Sequence, residues 1–66
     1  MVSEQPTGKV IAMLARAGWR VIRTRGSHSV WEGPRGTRIT VPDGHRVISP
    51  GVMRAVLAAM REDEAK

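Results

Sequence analysis

Cysteine is absent from this 66-residue chain, which excludes a disulfide framework and zinc sites of the cysteine type. Long apolar runs are absent as well. None approaches the roughly 18 residues needed to cross a bilayer. The opening MVSEQPTGK lacks a basic segment followed by a long apolar stretch, so it does not read as a secretory signal. No Gly-x-Ser-x-Gly elbow is present for a serine nucleophile, and no internal repeat or low-complexity segment occurs. Acidic residues are few: six Asp and Glu stand against eleven Lys and Arg, a formal charge of +5. Three of those six, Glu62, Asp63 and Glu64, fall in the last five residues, so the body is more basic than the total. The expectation is a soluble, cytoplasmic single domain with no membrane association. A chain this short buries only about 60% of the surface it exposes when unfolded, so its core must be small.

Most of the basic residues are arginine. Arginine is planar, permanently charged and able to hold phosphate with two parallel hydrogen bonds, so the bias points to a nucleic acid or an acidic protein partner.

The first six residues, ending at Pro6, read as a loosely ordered lead-in. Thr7 is a candidate N-cap, and Val10, Met13, Leu14 and Ala17 then repeat at the spacing of one apolar helical face. Gly18 is the expected stop, which predicts a helix from about Gly8 to Ala17. From Trp19 the period changes. WRVIRT is rich in β-branched and aromatic residues, Arg25-Gly26 is a turn signal and SHSVWE reads as a second strand. GPRG at 33–36 is a second turn, and TRITV alternates up to Pro42, which removes a ladder donor. PDGHRVI reads as a loop. Ser49-Pro50 is an N-cap followed by proline at the first helical position, and Val52, Val56, Leu57 and Met60 form the apolar stripe of a second helix from about Pro50 to Arg61. The remaining residues, 62–66, read as an acidic, fraying tail, leaving one domain over residues 7–61. The order is α-β-β-β-α, an α+β fold in which a three-stranded antiparallel sheet carries both helices on one face. Met13, Met53 and Met60 read as core filling.

His28 is the first candidate for chemistry. RNA can be cleaved without a protein nucleophile, because the adjacent 2′-hydroxyl attacks the phosphate once a base removes its proton. Imidazole, titrating near about 6.5, suits that task. Ser27 is placed to orient the ring or bond a phosphate. Arg20, Arg23, Arg25, Arg35 and Arg38 are candidates for neutralising charge on the phosphorane. The competing reading is a partly exposed strand residue with a satisfied ring, and composition alone favours that reading. Strand alternation leaves open which face His28 takes. If Val30 points to the helices, His28 lies at the core margin, and if Trp31 does, His28 stands on the open face.

His45 reads as a loop residue. The two histidines lack metal-pair spacing and have no obvious third carboxylate ligand, so neither metal nor cofactor is indicated. Trp19 reads as a core anchor. Trp31 either closes the core or stacks on a base. The GxxG at 33–36 reads as a plain turn rather than a backbone clamp.

Taken together, Gly18-Trp19 closing a helix, "RTRGSH" at 23–28, "ITVPDGH" at 39–45 and "SPGVMRAVL" at 49–57 resemble the HicA toxin family, also called YcfA-like proteins. The likeness extends over about residues 7–60, and its most specific element is Gly26-Ser27-His28. The resemblance implies a fold like a double-stranded-RNA-binding domain. It further implies an mRNA-cleaving toxin that arrests growth, neutralised by a HicB-like antitoxin encoded beside it, with promoter DNA contacted only through that antitoxin. The catalytic histidine of the family falls on His28 and its preceding glycine on Gly26. With the resemblance, a catalytic role for His28 is the favoured reading. No such role is implied for His45. The alternatives are a non-catalytic RNA-binding module and a small protein-interaction module with the same fold.

Overall fold

The computed structural model describes residues 3–66; the first two residues of the expected lead-in lie outside the described residues. The elements are β1 (Gln5–Pro6), α1 (Thr7–Arg16), β2 (Arg20–Arg25), β3 (His28–Glu32), β4 (Arg38–Val41), β5 (Val47–Ile48) and α2 (Pro50–Glu64). The strands β2, β3 and β4 form one antiparallel sheet in that order. This is the expected α+β arrangement, with a small β1-β5 pair added beside it.

Helix α1 ends where glycine was expected to end it. Gly18 has φ +86, its N–H donates to the Ala15 carbonyl at 3.1 Å, and the Trp19 N–H reaches back to Leu14 at 2.9 Å. That pair of bonds is a Schellman motif, and it delivers Trp19 into the core against Leu14. The start of α1 differs from expectation. Pro6 occupies the cap position and Thr7 is the first helical residue. The Thr7 hydroxyl donates instead to the His45 carbonyl at 2.5 Å, and its N–H donates to the Arg46 carbonyl at 2.9 Å. Residues 5–6 and 47–48, expected in a lead-in and a loop, pair as β1 and β5 with Gln5 opposite Ile48.

Ser49 caps α2 as expected, accepting from the Val52 N–H at 3.3 Å. The helix runs three residues past the expected end, to Glu64, and so takes in most of the acidic tail. The reason is Asp63, which is buried. Its carboxylate accepts from the backbone N–H of Arg35 at 3.2 Å and of Thr37 at 3.1 Å, so the β3-β4 turn holds the last turn of α2. Burial pushes the Asp63 carboxyl up, but these hydrogen bonds and the nearby Lys66 charge outweigh it and hold the group below its ordinary value.

Val10, Leu14, Trp19, Trp31, Val41, Ile48, Met53, Val56 and Ala59 make up the core. Met13 and Met60 pack against it. Trp31 is buried, which excludes its use as a base-stacking platform.

Candidate functional site

The register of the sheet decides which side each strand residue takes. Ser29 pairs with Val41 and Trp31 with Ile39, so these residues lie on the helix side. His28, Val30 and Glu32 therefore lie on the open side, and His28 is exposed.

Strand β2 is irregular. Arg20 pairs with Glu32 and Val21 with Trp31, but the register then slips, so that Arg23 pairs with Val30, Thr24 with Ser29 and Arg25 with His28. Ile22 is the extra residue of a bulge. Unbroken pairing would have set Arg23 opposite Ser29, on the helix side. The slip instead brings Arg23 and Arg25 onto the open face that His28 and Arg20 already share. A depression of about 260 Å³ there is lined by Arg23, Arg25, His28, Val30 and Thr40.

Gly26 and Ser27 make the two-residue connection between β2 and β3. Gly26 has φ +59, as the first central residue of a type II′ hairpin turn requires. Ser27 Oγ stands 3.2 Å from Nδ1 of His28. When Nδ1 carries the proton it donates to Ser27, and Nε2 is left with its lone pair.

The other expected residues are divided. Arg20 and Arg38 flank Glu32, at 3.6 Å and 3.0 Å respectively, and lie on the open face farther along the sheet from His28. Arg35 is not brought to this face. It sits in the β3-β4 turn, at the opposite end of β3 from His28, and its guanidinium donates to the carbonyls of Glu64 and Lys66 at the end of α2.

One neighbour was not expected. The ring of His45 stands edge-on to that of His28, with centroids 6.0 Å apart and planes inclined at 72°. The residues are seventeen apart in sequence, so spacing alone carried no signal of the contact. Asp43, two residues earlier, belongs to the segment PDGHRVI, which in the sequence reads only as a loop. Its carboxylate accepts from the Ser29 hydroxyl at 2.8 Å and from Trp31 Nε1 at 3.0 Å. The Ser29 proton is thereby committed, so the Thr24 hydroxyl donates to Ser29 across 3.0 Å.

No group of three His, Asp or Glu able to hold a metal ion occurs among the described residues, and no described helix is long and apolar enough to cross a membrane. The larger concavity, about 840 Å³, is formed mainly by the two helices and lined by residues such as Met13, Met53, Leu57 and Met60, away from both histidines.

No curated protein and no solved structure matches the chain. A family model described as HicA toxin of bacterial toxin-antitoxin matches residues 8–61, which takes in most of both helices, the whole three-stranded sheet and both histidines. With its α+β fold and the Gly26-Ser27-His28 turn, the chain belongs to the HicA toxin family.

Proposed function

We propose that this protein is the endoribonuclease toxin of a toxin–antitoxin pair, cleaving mRNA with His28 and arresting growth. The observation that carries the reading is the exposed His28 on an open sheet face, opposite Arg25 and in one depression with Arg23. RNA lies across that face. Its phosphates are held by arginine contacts that supply salt-dependent affinity, and the same charges oppose the negative charge that builds on the phosphorane. His28 removes the proton of the 2′-hydroxyl, and the 2′-oxygen attacks the adjacent phosphorus. Such a positioned base contributes about 10² to 10⁴ in rate. Cleavage needs no metal ion. A HicB-like antitoxin with a complementary acidic surface neutralises the toxin by covering the arginine face.

The experiment is induced expression of wild type beside His28→Ala, followed by growth and mRNA integrity, with circular dichroism on both proteins. Arrest and mRNA loss with wild type alone, both being folded, support the reading. Products ending in a 2′,3′-cyclic phosphate support 2′-hydroxyl attack, whereas 5′-phosphate ends exclude it. Intact RNA and normal growth with wild type would leave a binding module on the same fold.

A further inference from the structure

The β4-β5 loop, residues 42–46, plays no part in the reaction as described so far, yet four of its residues are tied to the rest of the fold, Arg46 through its carbonyl, which accepts from the Thr7 N–H. The Asp43 carboxylate is held by Ser29 and Trp31. The Gly44 N–H donates to the Ser27 carbonyl at 2.9 Å. The His45 carbonyl accepts from Thr7. The seat on the β2-β3 turn is close: a Cβ at Gly44 would lie 2.7 Å from Ser27 Cα, nearer than any side chain fits. These contacts use backbone and the Asp43 side chain. The imidazole of His45 takes no part in them, and the residue is exposed. The fold thus fixes the His45 backbone against the turn that carries His28 and leaves its ring facing the His28 ring at 6.0 Å.

We propose that His45 is the general acid that pairs with His28 on one scissile phosphate; this rests on reading the site as one that cleaves RNA. Two imidazoles at this separation can each come within about 2.6–3.2 Å of a different oxygen of the same phosphate. In the tautomer in which Nδ1 donates to Ser27, Nε2 of His28 carries the lone pair and acts as the base, and the acid's role falls to His45. His28 takes the 2′-hydroxyl proton, the 2′-oxygen bonds to phosphorus and the bond from phosphorus to the 5′-oxygen breaks. His45, arriving as imidazolium, gives its proton to the departing 5′-oxygen. One proton is taken and one given, and exchange with water resets both rings. The products are a 2′,3′-cyclic phosphate and a 5′-hydroxyl.

The test is single-turnover cleavage of an RNA oligonucleotide, at a site first mapped with wild type, by wild type, His28→Ala and His45→Ala. Each enzyme meets the ordinary RNA and an RNA whose scissile phosphate carries sulfur in place of the 5′-oxygen. A thiolate leaves without protonation, so the second substrate does not need the acid. The expected result is that His45→Ala binds RNA as wild type does, cleaves ordinary RNA about 10²- to 10⁴-fold more slowly and regains its rate on the sulfur substrate. His28→Ala stays slow on both. Full activity of His45→Ala on ordinary RNA overturns the proposal while leaving the ribonuclease reading intact. Equal slowing on both substrates, or rescue of His28→Ala instead, also overturns it. Failure of folded wild type to cleave any RNA removes the ribonuclease reading itself, and the proposal with it.

Discussion

The carboxylate of Asp63 fills the space where a side chain at residue 33 would lie: a Cβ on Gly33 would stand 2.6 Å from Asp63 Cγ. The last turn of α2 and the β3-β4 turn therefore specify each other. Gly33→Ala is expected to overpack this contact at about 1–3 kcal/mol, read as a lowered Tm, at about 4–8 °C per kcal/mol in a domain of this size. Thermal unfolding followed by circular dichroism checks it, and an unchanged Tm would contradict the packing described.

Asp63 also sets an acid dependence. Its folded-state pKa lies below the ordinary value of 3.8. The stability this contributes is therefore fully present above about pH 4 and is lost as the pH falls through the folded value. Asp63→Asn should lower Tm at neutral pH and show a flatter decline of Tm on acidification than wild type. Parallel Tm curves for the two proteins from pH 6 to pH 2 would sink the assignment.

Asp43 supports two buried donors at once. Asp43→Ala leaves the Ser29 hydroxyl and Trp31 Nε1 without their acceptor, at a cost of about 1–3 kcal/mol. Urea denaturation should show a lower midpoint with an unchanged slope. Because the same residue seats the loop carrying His45, RNA cleavage should fall more than RNA affinity does. Loss of affinity in step with activity would argue against that division.

Arg23 and Arg25 line one depression with His28, whereas Arg35 is bound to the end of α2. Arg23→Gln and Arg25→Gln should each weaken RNA binding and reduce the slope of log affinity against log salt by about 0.7, the value for one single-strand phosphate contact. Arg35→Gln should leave that slope unchanged. A titration across salt concentrations separates the two outcomes, and equal effects from all three would mean that RNA binding is not confined to the open face.

Metal independence is checked most simply. RNA cleavage by wild type should persist at full rate in excess EDTA, since two imidazoles and arginine charge suffice for the reaction proposed. Loss of activity restored by a divalent cation would require a different mechanism.

Much of this protein was legible in its sequence because the signals are local. Apolar spacing marks the two helices, Gly18 and Ser49-Pro50 mark where one stops and the other starts, and Gly26 marks the hairpin. The segments RTRGSH, ITVPDGH and SPGVMRAVL, with Gly26-Ser27-His28 the most specific part, pointed to the family that the chain matches. The misjudged parts depend on distant partners. Thr7 has the chemistry of a cap, but a carbonyl 38 residues away takes its proton. Residues 62–64 look like a solvated acidic end, but helix α2 continues because the β3-β4 turn supplies donors for Asp63.

Alternation along β3 establishes that His28 and Val30 share a side, and that much the sequence determined by itself. Only tertiary packing decided that the side is the open one, because covering Trp31 and Val41 with the helices is a long-range choice between two faces of equal local standing. The bulge at Ile22, which turns Arg23 and Arg25 to the same side, and the loop that sets His45 beside His28 belong to that second class. A period of two specifies which residues go together, and contacts between segments remote in sequence specify where they face.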